Sequence, residues 1–416
     1  MKLNRWTLAL AAAGIVTAPS LLQAQTNMIM TALSSTTLSG YVDTSAQWNF
    51  GTGDVNLPPY AFGGGSKADG FNLDVVDLTL DHPEDESSWA AGYHVDLWAG
   101  PDAASLGTTL NTGGTSEQIA IHQAYVTLRT PIGNGIDWKM GVFDTIIGYE
   151  SFSSINNPNY THSYGFTIEP GQHTGLLGTY IVNSELTVSA GIANTLASST
   201  INGRAFNTGT QGNPVSAGNM VESYKAYMGS ATYTVSTNAG WLSGSTFTAG
   251  IVNGFNSTQP NDTAGVGIKQ TSAYAGTTLS TPISALKIGA SMDLAYQHDA
   301  NNIPVAGDNG RTWAWDIYGS YQATEKLAFN LRGELVNVSS GVLDTPTVLF
   351  DNNHLYDVTA TVSYSLWKNV ISRAEFRWDH IEHGLAFGGT QNFPSPLSAP
   401  TLSNAFMLAA NIIYQF

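Results

Sequence analysis

Apolar and polar residues alternate along most of this chain with the two-residue period of β-strands. In residues 404–416, Asn411 and Gln415 fall on one face, and the other face carries Phe406, Leu408, Ala410, Ile412, Tyr414 and Phe416. A strand of this kind separates an apolar environment from a wet one, because successive side chains point to opposite sides. Sixteen segments repeat the pattern and are predicted to be strands: 36–49, 70–81, 88–98, 118–130, 135–143, 173–182, 185–194, 222–235, 241–253, 268–280, 284–297, 311–322, 325–338, 354–366, 369–380 and 404–416.

The connections between these segments alternate between short and long. This asymmetry is typical of barrels in the bacterial outer membrane, which have short periplasmic turns and long extracellular loops. We therefore predict an all-β fold, a transmembrane antiparallel up-and-down β-barrel of about 16 strands, with roughly 14 to 18 strands as the alternatives. An even strand number places both termini on the periplasmic side. The short connections are 83–86, 131–134, 183–184, 237–240, 282–283, residue 324 and 367–368.

The first residues have the pattern of a secretory signal peptide. Lys2 and Arg5 form a positive start, and an apolar run and a cleavage site with a small residue follow. We predict a signal peptide at 1–24 and a single outer-membrane barrel over 25–416. The second range contains no linker, charge block or change of composition that would divide it.

Composition narrows the classes of function. Charged residues make up 11% of the chain, about half the share in soluble domains, and no later apolar run reaches the roughly 20 residues of a membrane helix. Removal of Lys2 and Arg5 leaves 13 basic against 31 acidic residues and changes the formal charge from -16 to -18. This charge argues against nucleic acid as a partner. The absence of cysteine excludes disulfides and thiolate metal sites.

The polar faces of several predicted strands carry charges that a barrel must turn inward. Along 369–380, charged residues alternate with Ala374, Phe376 and Trp378. An Arg or Lys facing lipid near the bilayer midplane costs roughly 2 to 4 kcal/mol, so the charged face is assigned to the lumen. The alternative is that these charges pair with one another along the wall. The predicted wall charges are Arg129, Asp137, Lys139, Arg332, Glu334, Arg373, Glu375, Arg377 and Asp379.

The third long connection, residues 144–172, is the predicted constriction. A barrel of about 16 strands is too wide for its own side chains to fill, and selectivity then depends on the narrowest ring of charge. This connection carries Asp144, Glu150 and Glu169 but no Lys or Arg. Opposed to the arginines of the wall, these carboxylates would set a transverse field across the channel and favour cations. An ordinary surface loop is the alternative.

Residues between about 135 and 195 carry a set of short motifs: Gly141-Val142-Phe143-Asp144, Gly148-Tyr149-Glu150, Asn159-Tyr160, Ser163-Tyr164-Gly165-Phe166, Glu169-Pro170 and His173-Thr174-Gly175. Together they resemble the OmpL-like β-barrel porin family. The resemblance implies a porin in the outer membrane of a Gram-negative bacterium, with a water-filled channel for passive diffusion of small hydrophilic solutes and ions. The final aromatic residue, Phe416, is similar to the signal that the barrel-insertion machinery reads in such proteins.

Two other kinds of barrel stay open as alternatives. A substrate-specific uptake channel would use aromatic platforms, such as Trp313 and Trp315 or Trp89 and Trp98. A non-conducting surface barrel would act as an adhesin or scaffold. The partners expected for a porin are outer-membrane lipid, the insertion machinery, small hydrophilic solutes and further copies of the chain, since porins of this strand number are often homotrimers.

The sequence favours a channel over an enzyme. His380-Ile381-Glu382-His383 lies at a strand end and lacks the helical face that a zinc site of this spacing needs. No Gly-x-Ser-x-Gly nucleophile elbow occurs. The Asp and Asn residues of 299–309 lack the spacing of a dedicated calcium site. We therefore predict no catalytic residues, no metal and no cofactor.

Overall fold

The computed structural model describes residues 36–51, 55–85, 87–109, 118–197, 201–206, 223–255, 269–297, 310–338, 343, 353–389 and 399–416. The predicted signal peptide at 1–24 lies outside these ranges, as does the segment 299–309. Among the helices of the described ranges, none is long and apolar enough to cross a membrane.

The described residues contain eighteen strands: β1 Thr37–Asn49, β2 Gly70–His82, β3 Ala90–Ala99, β4 Ile119–Thr130, β5 Ile136–Asp144, β6 Gln172–Ile181, β7 Leu186–Ala193, β8 Ala205–Phe206, β9 Ser223–Tyr224, β10 Ala226–Thr234, β11 Thr246–Phe255, β12 Lys269–Ser280, β13 Leu286–Gln297, β14 Arg311–Gln322, β15 Leu327–Val338, β16 Asn353–Trp367, β17 Val370–Ile381 and β18 Asn404–Gln415. Sixteen of these described strands close into one antiparallel barrel, while β8 and β9 form a separate hairpin. Chain neighbours pair around the barrel, β7 pairs with β10, and β1 pairs with β18. The predicted fold class is confirmed.

The observed strand bounds differ most from the predicted ones at β11. The segment 241–253 is predicted as one strand, but β11 begins at Thr246 because Gly240–Leu242 form a short 3₁₀ turn. Gly240 (φ 64°) and Gly244 (φ 76°) adopt positive φ, which is open to glycine at little steric cost. The apolar pattern continues through this turn, so periodicity alone extends the strand too far.

Side chains on the barrel strands point alternately outward and inward. On β17 the outward Phe376 is 44% exposed, whereas the inward Arg377 is 0% exposed. The inward positions of the paired strand β16 are also polar, and Asp357, Thr359 and Thr361 are all buried there. This arrangement keeps charge away from the lipid-facing surface, where it would be costly.

One long loop lies inside the barrel. Residues 145–171, between β5 and β6, contain a 3₁₀ turn at Ser154–Asn156 and a one-turn helix, α1, at Tyr164–Ile168. Ser163 caps α1, because its Oγ accepts a hydrogen bond from the backbone N–H of Phe166 at 3.0 Å. We call residues 145–171 the inward loop, since many of its side chains are buried against the inner wall.

A second loop, residues 55–69, also contributes to the interior. Phe62 packs against Trp98 of β3 with ring centroids 5.9 Å apart, and against Phe152 of the inward loop at 6.4 Å. Val75 and Trp98 belong to the same buried apolar cluster, which Phe62 and Phe152 pack against. The apolar core of this region therefore lies inside the barrel, between the loops and the inner wall.

Candidate channel lumen and inward loop

The inward loop crosses the lumen from β5 to the opposite wall and returns to β6. Near its start, Tyr149 accepts a hydrogen bond through its hydroxyl from Thr278 Oγ1 on β12, at 3.1 Å. Farther along, the side-chain amide of Asn159 donates to Thr361 Oγ1 on β16 at 2.7 Å. The loop therefore rests on strands that are distant from the two strands that carry it.

Arg373 on β17 binds the middle of the inward loop. Its Nη1 donates to the carbonyl oxygens of Ser154 (3.1 Å), Asn157 (3.1 Å) and Asn159 (2.9 Å). Its Nη2 donates to Ser154 Oγ at 2.7 Å, and its Nε donates to Asn411 Oδ1 at 2.8 Å. These acceptors are all neutral, so the guanidinium positions the loop by hydrogen bonding.

Two carboxylates of the wall accept backbone N–H groups of the same loop. Glu375 accepts from the N–H of Tyr160 at 2.5 Å and of Thr161 at 2.9 Å. Glu334 on β15 accepts from the N–H of Tyr164 at 2.7 Å, at the start of α1. The two carboxyl groups accept these backbone N–H groups of the loop, so these contacts hold the loop backbone against the wall.

Arg332 on β15 is the centre of the densest charge cluster. Its Nη1 lies 3.1 Å from Glu150 Oε1 of the inward loop, and its Nε lies 3.0 Å from Asp357 Oδ2 and 3.3 Å from Glu334 Oε2. The same Nη1 donates to the carbonyl oxygen of Thr161 at 2.6 Å. Arg332 is 0% exposed, so its charge is balanced by these neighbours without help from solvent ions.

The structure corrects one part of the sequence interpretation. A transverse field requires Glu150 to face the wall arginines across water, but Glu150 and Arg332 are in contact and both are buried. Arg373 and Arg377 are buried beneath the loop as well. Arg377 pairs along the wall with Asp379 at 2.8 Å, as in the alternative interpretation. These charges hold the loop and one another in place.

Glu150 is held in its ionised form. Burial alone would raise the pKa of its carboxyl, but the guanidinium of Arg332 and the ring of His162 hold that pKa at about 2. His162 Nδ1 lies 3.1 Å from Glu150 Oε2, and the N–H of Ser163 donates to the same oxygen at 3.0 Å. The hydroxyl of Tyr318 donates to Glu150 Oε1 at 3.1 Å, so Glu150 is an anion at neutral pH with four partners from the protein.

The other two carboxylates of the predicted constriction have different surroundings. Glu169 lies near Asp293 of β13, and burial together with the charge of Asp293 raises the pKa of Glu169 well above its usual range. Asp144 Oδ1 lies 3.0 Å from His122 Nε2 on β4, and His122 Nδ1 lies 2.6 Å from Asp96 Oδ2. Asp144 thus belongs to a different contact group from Glu169, and the role of the three carboxylates as a constriction stays a prediction.

The remaining predicted residues lie in other parts of the barrel. Arg129 Nη1 is 2.7 Å from Asp137 Oδ1, next to the short turn that joins β4 and β5. Lys139 Nζ lies 4.5 Å from the centroid of a tyrosine ring on β4. Phe416 donates its backbone N–H to the carbonyl oxygen of Gly40 at 3.0 Å. The roles of these residues in ion passage and barrel insertion stay predictions.

The tryptophans considered as sugar platforms do not face an open lumen. Trp315 is 53% exposed on the outward face of β14, and Trp313 lies two residues away on the same face. Trp89, just before β3, is 73% exposed. Trp98 points inward but is buried, with its Nε1 donating to Asp77 Oδ2 at 3.0 Å. None of these four described residues offers a free ring face inside the barrel.

Two glycines of the inner wall make room for the inward loop, and the sequence analysis missed them. A Cβ at Gly289 on β13 would overlap the hydroxyl of Tyr149. A Cβ at Gly250 on β11 would lie 2.7 Å from Ile147 Cγ2. Glycine on the inward face of a strand signals the close approach of another segment, so the sequence does carry this signal.

Lys67 is a further residue that the alternation does not identify. Its Nζ lies 3.0 Å from Asp74 Oδ1 of β2 and also binds Asp102. All three side chains are buried. Lys67 belongs to the loop 55–69, which has no regular hydrophobic period from which its direction could be predicted.

A cavity of about 290 Å³ lies below the inward loop. Tyr149 and Pro158 of that loop line one side of it. Gln322 and Lys326, at the turn between β14 and β15, mark the opposite side, so the cavity reaches the short-turn end of the barrel. The inward loop therefore forms one wall of this cavity.

Comparison with known proteins identifies one family and a group of similar structures. The family described as "Putative beta-barrel porin-2, OmpL-like" matches residues 35–416. No curated protein sequence matches this one closely enough to count as a relative.

Solved outer-membrane proteins share the fold at low sequence identity. The anion-selective porin from Comamonas acidovorans has a TM-score of 0.57 at 11% identity, covering 92% of this chain and 99% of that one. The channel DcaP of Acinetobacter baumannii has a TM-score of 0.55 at 13% identity, covering 92% of this chain and 97% of that one. OmpT of Vibrio cholerae also has a TM-score of 0.55 at 13% identity, covering 94% of this chain and 100% of that one. At such identities the likeness establishes the fold alone.

Proposed function

Because this chain belongs to the OmpL-like β-barrel porin family, we propose that it forms a water-filled channel for passive diffusion of small hydrophilic solutes and ions. The class of an outer-membrane porin follows from the family and the barrel. The observation that carries the proposal is a closed barrel with an inner wall of polar and charged residues and a cavity of about 290 Å³. A lumen of this kind stays wet and admits polar solutes.

The proposed channel prefers cations. Among the buried side chains that the structure describes, 14 are acidic and 4 are basic. A low-dielectric wall with an excess of one charge raises the local concentration of ions of the opposite sign. The support for cation preference is therefore the composition of the whole interior, not an open ring formed by Asp144, Glu150 and Glu169.

Planar-bilayer conductance of the refolded mature chain under a KCl gradient tests both the formation of a channel and its preference for cations. We expect discrete conductance steps and a reversal potential that indicates cation selectivity. Steps with an anion-selective reversal potential would keep the porin and remove the cation preference. A folded barrel that never conducts would overturn the proposed function and favour a non-conducting adhesin or scaffold.

Processing and assembly are part of the same proposal. The chain is proposed to lose residues 1–24 on export and to insert into the outer membrane as a homotrimer. Amino-terminal sequencing of the protein from outer membranes tests the cleavage site. Analytical ultracentrifugation in detergent tests the assembly, because a trimer has three times the mass of one mature chain.

A further inference from the structure

The residues that line the cavity below the inward loop carry positive charge, whereas the chain as a whole is acidic. The described lining of the cavity includes Lys287, Lys326 and Arg373 but no Asp or Glu. The whole chain, in contrast, has 31 acidic and 15 basic residues. Positive charges in a concave wall whose lining contains no carboxylate raise the local concentration of anions.

The charges of the two lysines are available to a solute. Lys287 points inward from the start of β13, Lys326 lies in the short turn before β15, and both side chains are exposed. Neither lysine forms an ion pair with any residue that the structure describes. Arg373 lies deeper, and its ion-pair partner in the described part of the chain is Asp43 at 3.9 Å.

Neutral polar groups and one aromatic pair complete the lining. The hydroxyls of Thr278 and Ser320 and the amide of Asn330 line the cavity. Tyr149, on the side of the inward loop, stacks on Tyr318 with ring centroids 4.2 Å apart. Hydroxyls and amides both donate and accept hydrogen bonds, and aromatic rings pack against apolar C–H faces, so the lining suits a compact solute with several hydroxyls.

We propose that this cavity is a binding subsite for sugar acids and other small hydroxylated carboxylates. The inference rests on the proposed function, since a solute reaches the cavity through a conducting barrel. Lys287 and Lys326 bind the carboxylate by charge-assisted hydrogen bonds, while the hydroxyl and amide groups bind the polyol part. The acidic side chains of the interior lie outside this lining, so a local anion site is compatible with cation preference of the whole channel.

Single-channel recording with glucuronate as the probe tests the subsite. Glucuronate is added in KCl to each side of the bilayer in turn, and glucose serves as the uncharged probe. We expect glucuronate to reduce the conductance at lower concentration from the side of the short turns than from the other side. Glucose at the same concentrations should have little effect. In the double variant K287Q/K326Q the half-blocking concentration should rise about tenfold.

K368Q is the matched control variant. Lys368 is exposed at the same end of the barrel, in the turn between β16 and β17, but it does not line the cavity. Normal block in K368Q together with weakened block in K287Q/K326Q supports the subsite. If glucuronate block is weakened equally in both variants, or if glucuronate and glucose block equally, the proposed subsite is overturned. Absence of any conductance steps would instead overturn the proposed function, so the two failures are distinguishable.

Discussion

At the scale of single residues, the interior of this barrel is a set of buried charges that bind a loop to the wall. Arg332 contacts Glu150, Glu334 and Asp357, and all four side chains are buried. Taking such charges out of water is costly, and only their mutual attraction and hydrogen bonds offset that cost. Removing one partner therefore leaves the others buried and uncompensated.

The first prediction concerns Arg332→Gln. Because three carboxylates would lose their common cation, we expect the variant to lose about 3–5 kcal/mol of stability. Thermal unfolding of the refolded barrel, followed on gels by the loss of the folded band, measures the change. Glu382→Gln is the control, since the side chains of its pair with His354 are 39% and 36% exposed and such an exposed pair contributes little to stability. Equal losses in the two variants would contradict the assignment of Arg332 as the main buried cation.

The second prediction is that acid removes the stabilisation that the ionised carboxyl of Glu150 provides. The pKa of this carboxyl is lowered to about 2 from an ordinary value of 4.5, so the folded state binds the proton more weakly than the unfolded state. The stabilisation from its ionised form is therefore complete above pH 4.5 and is lost as the pH falls towards about 2. We expect Glu150→Gln to have a lower unfolding midpoint than the parent at pH 7.

The difference between the two midpoints should stay constant down to about pH 5 and shrink at lower pH. Unfolding midpoints of both proteins between pH 7 and pH 2 measure it. A difference that does not change with pH would mean that the charge of Glu150 has no part in the effect.

At the scale of elements, the strands and the inward loop fit together through small residues on the wall. Tyr149 occupies the space above Gly289, and Ile147 occupies the space above Gly250. A strand that carries larger side chains at these positions would push the loop into the lumen. The alternation predicts that these glycines face inward, but it does not predict which loop residue each one receives.

The third prediction is that Gly289→Ala changes the channel with little effect on barrel formation. The added methyl group overlaps the hydroxyl of Tyr149, so the loop must shift, and we expect a changed single-channel conductance. Gly319→Ala on the neighbouring strand β14 is the control, because a Cβ there meets nothing within 4 Å. An unchanged conductance in Gly289→Ala, with both variants folded, would sink the view that this contact positions the loop.

The turn before β11 is an element that periodicity misjudges. Trp241 and Leu242 continue the apolar pattern, yet Gly240 and Gly244 turn the chain and delay the strand to Thr246. Strand existence follows from the two-residue period, whereas strand ends depend on backbone angles that glycine makes available.

At the scale of the whole molecule, the barrel wall and the inward loop depend on different interactions. Backbone pairing from β1 to β18 closes the wall, and its closure needs no contact with the inward loop. The loop then occupies space that the wide barrel leaves free. Asp144 and Gln172 pair directly across β5 and β6, so a short linker can join these strands without the loop.

The fourth prediction follows from this separation. Replacing residues 150–168 by a short Gly-Ser linker should leave a folded barrel and raise the single-channel conductance by about twofold or more, because the loop no longer fills the lumen. Bilayer recording measures the conductance, and a folded band on an unheated gel checks closure. A folded variant with the parent conductance would show that the loop does not limit ion passage.

The sequence by itself determined the class of the fold, the position of the strands and the inward direction of residues such as Arg332 and Arg377. The alternation of apolar and polar residues is visible within each strand by itself. Because charge in lipid is costly, the polar face of a strand must point into the lumen and the apolar face towards lipid. The tertiary structure alone decided which charges meet. Lys287, Lys326 and Arg373 share one cavity, and Glu150 touches Arg332, because barrel closure and the path of the loop join positions far apart in the chain.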